Sequence, residues 1–335
     1  MKRVAVLDDY QGVVRGMPGW DALAARARID VFRDTLATPD ALAARLEPYE
    51  ILVPIRERTR FPAGLLQRLP RLELLALAGR NTGQVDVAAA TAQGVLVTES
   101  EGSGAGAVEL TMGLILALVR RIPHEDRAIR EGHWQTGLGI ELAGKTLGIV
   151  GLGRIGRRIA AFGSLLGMSV LAWGPTLTPE RAAASQARYL PLDQLLASSD
   201  VVSLHLRLLN ATRGILGARE LALLKPTAYL VNTARGPLVD EDALVGSLRA
   251  RRLAGAALDV FDREPIPADH PLLALDNVVL TPHVGFVTAE TYRAFYGQAA
   301  ESIGDYLDGR PPARLLNPEA LARIGREHGS RTMRA

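Results

Sequence analysis

Short apolar runs alternate with Ala-rich amphipathic segments along most of this chain, and that alternation restricts the fold more than any other feature. The first hundred residues read VAVLD then WDALAARA, IDVF then PDALAARL, EILVPI then PAGLLQRL, LELLALAG then VDVAAATAQ, and finally VLVTES. Strand-length runs that are apolar throughout, separated by helix-length segments, predict a parallel sheet covered by helices on both faces. A Gly-rich break, EGSGAGAVE, leads into an apolar helix, ELTMGLILALV, that ends at Arg120, Arg121 and Pro123. A second series begins at Lys145. TLGIVGLG, SVLAWG, DVVSLHL, AYLVNTA, GAALDVF and NVVLTPH are its strands, with helical segments such as GRRIAAFGSLLG, LDQLLAS, ARELALL and DEDALVGSLRA between them. After residue 286, Tyr292, Phe295, Tyr296, Ala299, Ile303, Tyr306 and Leu307 follow helical spacing. Two doubly wound α/β domains account for this order most economically.

Composition narrows the function. The 335 residues are 48% hydrophobic and 22% charged, enough for two ordinary cores. Cysteine is absent, which removes disulfides, a thiolate nucleophile and Cys-based zinc sites, and no metal site is expected. The net charge is +3, and Lys2, Lys145 and Lys225 are the only lysines. The basic stretches, around Arg251 and in the tail after Arg323, read as solvated surface, so no nucleic-acid partner is expected. The 109–119 run is too short to span a membrane and carries Glu109. The start, MKRVAVLDDY, does not resemble a secretory signal, which makes the cytoplasm the expected location. Trp134, ahead of the second series, reads as a packing residue, and His124, His133 and His270 as surface or loop residues.

Gly151-Leu-Gly153-Arg-Ile-Gly156 follows the strand TLGIV and opens a helix. That context makes it a dinucleotide fingerprint: a tight turn at Gly151, backbone approach to a pyrophosphate at Gly153, and close helix–sheet packing at Gly156. The helix N-terminus adds free N–H groups and partial positive charge. The acid expected about twenty residues on, for the ribose hydroxyls, falls on Gly174, between Trp173 and Pro175. Thr176, Thr178 and Arg181 could receive a 2'-phosphate or be ordinary turn and helix-start residues, so NAD and NADP both stay open, NAD slightly favoured.

Three later stretches set polar residues beside strand ends: Arg235 in VNTARGPLVDEDAL, Asp259 and Glu264 in GAALDVFDREP, and His283 in NVVLTPHVG. Ligands of open α/β sheets bind beyond the carboxyl ends of the strands. Arg offers a planar fork for a carboxylate. His exchanges a proton with a reacting oxygen near neutral pH, and a Glu behind it fixes the tautomer. Beside a dinucleotide, this set suits hydride transfer at a carbinol carbon next to a carboxylate.

With these motifs in this order, the chain resembles the D-isomer-specific 2-hydroxyacid dehydrogenase family. GKTLGIVGLGRIG, NTARGPLVDEDAL, GAALDVFDREP and NVVLTPHVG carry the resemblance, which runs from about residue 50 to 310. It implies a discontinuous substrate domain (1–102 and 287–335) around an inserted dinucleotide-binding domain (103–286). It further implies a homodimer through the cofactor domain, with the helix from Val108 to Val119 at the interface. Arg235 would bind the substrate carboxylate, His283 would be the acid/base and Glu264 its partner. Cofactor contacts are expected from Gly151, Gly153, Arg154, Ile155, Gly156, Trp173, Gly174, Thr176, His205, Thr233, Ala234 and Asp259, the last at the nicotinamide carboxamide. Substrate contacts are expected from Arg56, Gly79, Arg80, Asn81 and Thr82.

Two departures stand out. The family's substrate loop often reads Gly-x-Gly-x-Asp-Asn-x-Asp, and here it is Gly79-Arg-Asn-Thr-Gly-Gln-Val-Asp86. Arg80 would either reach a second acidic group of the substrate or point to solvent. The His-x-Pro near the adenosine is His205-Leu-Arg207; His205 then reads as structural and Arg207 as surface or a further 2'-phosphate contact. The rival readings are a catalytically silent dinucleotide sensor that binds a protein partner, and a formate dehydrogenase, which usually carries Gln in place of this Glu.

Overall fold

The computed structural model describes residues 1–36, 38–81 and 83–321. It divides into two compact units, one made of Met1–Ser103 with the described residues from Ala289 onward, the other of Gly104–Thr288. The basic tail after Arg323 lies outside the described residues.

The first unit holds a parallel sheet of β1 (Arg3–Val6), β2 (Arg28–Val31), β3 (Ile51–Val53), β4 (Leu74–Ala76) and β5 (Leu96–Thr98), in the order β2-β1-β3-β4-β5. Strands β3, β4 and β5 are buried at every residue, as expected for strands covered on both faces. The helix Ala289–Leu307 completes this unit. Its buried positions include Tyr292, Phe295, Tyr296, Ala299 and Ile303, the stripe that the sequence spacing outlines. Trp20 locks it in place, donating its indole N–H to the Tyr296 carbonyl at 3.0 Å.

The second unit holds β6 (Thr146–Val150), β7 (Ser169–Trp173), β8 (Arg188–Tyr189), β9 (Val201–Leu204), β10 (Tyr229–Asn232), β11 (Gly255–Leu258) and β12 (Val278–Leu280). Their order is β12-β11-β10-β9-β6-β7-β8, and every pairing is parallel. Alternate strand residues feed two cores. Val150, Val202, Leu204, Leu230, Ala256 and Leu258 lie in one, and Leu147, Ile149, Val201, Val231 and Ala257 in the other. Both domains are thus parallel α/β layers, and all carboxyl ends of the seven-stranded sheet share one edge.

Two details differ from the sequence expectation. The apolar helix spans Ala105–Val119, but Pro123 does more than follow its end: it sits in the first turn of a second helix, Ile122–Arg130. Proline needs no N–H there and its fixed φ suits helix entry, so the same residue that reads as a stop is a start. Arg121, with φ 56°, makes the left-handed joint between the two helices. Trp134, expected to pack, is 76% exposed, and Leu138 is 95% exposed. Among the described residues, no helix is long and apolar enough to cross a membrane. Arg251 is neutralised by Asp276 at 2.5 Å.

Candidate active site

The glycine turn lies where the order of the seven-stranded sheet reverses, between β6 and β9, the switch point at which doubly wound sheets open a crevice. Gly151 has φ +106°, and a Cβ there would stand 2.7 Å from the His205 carbonyl carbon. Only glycine satisfies both conditions. A Cβ on Gly156 would stand 2.2 Å from the Gly151 oxygen, so the helix Arg154–Leu165 lies tight on the turn. Gly153 differs: a Cβ there meets nothing within 4 Å. The protein does not fill the space over Gly153. No side chain caps that helix and its first turn holds no acid. Free N–H groups, positive helix end and open backbone together fit a dinucleotide pyrophosphate.

Around the turn, Gly151 donates its N–H to the Trp173 carbonyl at 2.7 Å. Trp173 and Ile155 pack partly into the two cores, while the Arg154 guanidinium lies against Gly104. Beyond Gly174 the local geometry is that of a helix start. Thr178 caps the helix Pro179–Ala183 by accepting the Arg181 N–H at 3.3 Å, and the Arg181 guanidinium donates to the Thr176 carbonyl at 2.7 Å. His205 Nε2 stands 2.9 Å from the Ser203 hydroxyl. Burial pushes its imidazole down to about 4. The unfolded chain takes up that proton near 6.5, so stability conferred by the neutral ring is full above that value and is lost as pH falls from about 6.5 to about 4. The loss should reach at most about 3 kcal/mol. Denaturant midpoints at pH 7 and 4.5, compared between wild type and His205→Asn, should show the smaller drop in the variant.

At the ends of β10, β11 and β12 the remaining polar residues assemble. Asn232, 1% exposed, ties the β10 turn: it donates to the Arg235 carbonyl at 2.9 Å and accepts the Ala234 N–H at 3.0 Å. Arg235 is half-buried and its Nη1 donates to the Ala234 carbonyl at 2.6 Å. Gly236 follows, and a Cβ on it would come within 2.1 Å of the Phe261 carbonyl carbon. The Arg235 turn therefore lies flush on the backbone that follows β11. Thr233 and Thr111 join their hydroxyls at 2.7 Å, which fixes this turn to the helix Ala105–Val119.

Asp259 is 1% exposed. Its Oδ1 accepts the Thr281 hydroxyl at 2.6 Å and the Val284 N–H at 2.8 Å; its Oδ2 accepts the Gly285 N–H at 2.9 Å. Burial pushes this carboxyl above its usual range against those hydrogen bonds. Its bonds bracket His283, whose backbone is left-handed at φ 53°. Asp259 thus builds the loop that presents the imidazole, a task that its strand-end position in the sequence does not reveal. His283 Nδ1 meets Glu264 Oε2 at 2.6 Å, and Glu264 Oε1 accepts the Phe261 N–H at 2.9 Å. The ring packs edge-on against Phe286 and keeps 20% of its side-chain surface exposed. A neutral imidazole whose Nδ1–H is spent on Glu264 leaves Nε2 to exchange a proton.

The substrate-contact candidates lie in the first unit, after β3 and β4. Arg56 donates its N–H to the Ala78 carbonyl at 3.1 Å and its side chain covers Gly79. Arg56 and Glu57 pair at 3.3 Å, each less than a fifth exposed. Arg80 lies on the solvent side, in an ion pair with Glu101, both side chains more than half exposed. Asn81 shapes its own loop, accepting the N–H groups of Gly83 and Val85, and donates its backbone N–H to Glu99 at 3.2 Å. That N–H, on a residue expected to touch the substrate, is met by a carboxylate of the chain itself. Thr82 lies outside the described residues.

Residues 112–285 match the model of the D-isomer specific 2-hydroxyacid dehydrogenase NAD binding domain. A glyoxylate reductase of Aeropyrum pernix is 42% identical over 78% of this chain and 81% of its own length. The chain belongs to the D-isomer-specific 2-hydroxyacid dehydrogenase family. It is an NAD(P)-dependent dehydrogenase of that family. A D-3-phosphoglycerate dehydrogenase of Archaeoglobus fulgidus is 37% identical over 83% of the chain, which spans about half (53%) of that relative's length. The crystal structure of a phosphoglycerate oxidoreductase from Vibrio cholerae superposes with a TM-score of 0.88 at 40% identity, covering 92% of this chain and 100% of its own. His270 is the residue most underread from sequence in this dehydrogenase: its side chain is only 12% exposed and its Nε2 meets Glu241 Oε1 at 2.9 Å.

Proposed function

We propose that this dehydrogenase interconverts a 2-oxo acid and the D-2-hydroxy acid, with His283 as acid/base, Glu264 as its partner and Arg235 as the carboxylate-binding group. The 2.6 Å Glu264–His283 contact carries the reading. When bound at the glycine turn, the dinucleotide supplies or accepts the hydride. The chain's residues do the rest. Arg235 binds and orients the substrate carboxylate through its fork. His283, with Nδ1 held by Glu264, gives the proton at Nε2 to the oxygen that becomes the C2 hydroxyl, and recovers it in the oxidative direction. Asp259 holds the His283 loop and would help to hold the nicotinamide end of the cofactor. Arg56 and Gly79 contribute substrate contacts, with Arg80 and Asn81 shaping the loop beside them.

A steady-state screen of 2-oxo acids against NADH and NADPH in parallel tests this. Turnover of at least one short 2-oxo acid, with the D-hydroxy acid as product, is the expected result; formation of the L-isomer, or no turnover across the panel, would overturn it.

We also infer that the protein is a homodimer through its cofactor unit and resides in the cytoplasm. Ile122, Ile129, Trp134 and Leu138 are each more than half exposed within one stretch of that unit, and exposed apolar side chains gathered into a patch mark an interaction surface. The double variant Trp134→Asp, Leu138→Asp should sediment as a monomer while wild type sediments as a dimer.

A further inference from the structure

Behind the acid/base pair runs a second chain of hydrogen bonds that the proposed chemistry does not use. Glu241 is the first residue of the helix Glu241–Arg249, whose N-cap is Asp240. Its Oε2 accepts the Asp262 N–H at 3.3 Å and its Oε1 receives His270 Nε2 at 2.9 Å. His270 Nδ1 accepts the Leu272 N–H at 3.3 Å. With Nδ1 acting as acceptor, Nε2 carries the proton that goes to Glu241. The side chains of His270 and Glu241 are only 12% and 19% exposed.

The segment being held is short. Phe261 donates to Glu264 Oε1, Asp262 donates to Glu241, and the backbone of both lies against Gly236. These contacts meet on the turn that ends in Glu264, and Gly236 is the neighbour of Arg235. One carboxylate therefore ties the turn bearing the imidazole's partner to the helix that follows the arginine turn. Glu241 holds this inward position among like charges. Burial, and then the Glu241 charge, push the Asp262 carboxyl above its usual range against the opposing Arg213 charge, with Asp240 and Asp242 adding to the rise. His270 gives this carboxylate a side-chain donor beside the Asp262 N–H.

We propose that Glu241, held by His270, is a positioning residue for the Glu264–His283 pair. The proposal rests on the acid/base reading above. A side chain that fixes the geometry of a reacting group acts only through that group, so its removal matters only while the group is present.

The test is a double-mutant cycle on the full chain. Each variant is normalised to folded sites counted by dinucleotide binding. Glu241→Ala should lower kcat about tenfold with the dinucleotide Kd unchanged, and should leave the residual rate of His283→Ala as it is. Glu241→Gln has one acceptor oxygen for two donors, the Asp262 N–H and the His270 Nε2–H, and should recover only part of the loss. His270→Leu should behave like Glu241→Ala and serves in its place if that variant does not fold. Wild-type kcat per folded site in Glu241→Ala and His270→Leu, or an equal loss in the His283→Ala background, would overturn the positioning role. Wild-type turnover in His283→Ala alone would instead remove the acid/base reading, and the positioning role with it.

Discussion

Replacing His283 by alanine should lower kcat by about 10²–10⁴-fold, the usual worth of a positioned proton transfer, while the dinucleotide Kd stays near wild type. The imidazole is held on three sides. Glu264 binds Nδ1, Phe286 packs on the ring, and Asp259 gathers Thr281, Val284 and Gly285 around the left-handed residue. Such holding lowers the entropic cost of bringing the proton to the reacting oxygen. Alanine leaves the loop bonds intact, because all three of those Asp259 acceptor bonds come from other residues. It also leaves untouched the open backbone over Gly153, to which the pyrophosphate is assigned. The loss should therefore appear in turnover and not in dinucleotide affinity. Stopped-flow hydride transfer together with fluorescence titration of the dinucleotide separates the two; an unchanged rate would refute His283 as the acid/base.

The sequence made this site legible where chemistry and strand register coincide. Arg235, Asp259, Glu264 and His283 follow three adjacent parallel strands, so their place at one edge is readable once the strands are. The glycine turn is readable for the same reason, and its three glycines turn out to be needed on different grounds: conformation at Gly151, packing at Gly156, and open space at Gly153. Contacts that join distant segments were not legible. Nothing local to His270 points back to Glu241, twenty-nine positions away. The Asn81 N–H meets Glu99, eighteen positions on, and no local pattern announces that contact. Pro123 follows one helix, as its sequence place suggests, and also begins another, a second role that the first one masks.

Arg235→Ala should lower kcat/KM for the 2-oxo acid by about 2–5 kcal/mol, roughly 30- to 5000-fold, as expected when one partner of a charge-assisted pair is truncated. Most of the loss should lie in KM, since a carboxylate contact made before and during reaction is largely uniform binding, with a smaller fall in kcat from the lost orientation. The arginine is prepared for this use. Asn232 fixes the turn below it, its own Nη1 is tethered to the Ala234 carbonyl, and Gly236 seats it on the Phe261 backbone. A tether at one nitrogen sets the plane of the guanidinium. Lysine at this position would keep the charge but has neither the fork nor the tethered plane, so Arg235→Lys should recover only part of the loss. Both variants should keep the dinucleotide Kd of wild type. Equal kcat/KM for lysine and arginine would show that charge alone binds the substrate, and wild-type kcat/KM in the alanine variant would show that the carboxylate is bound elsewhere.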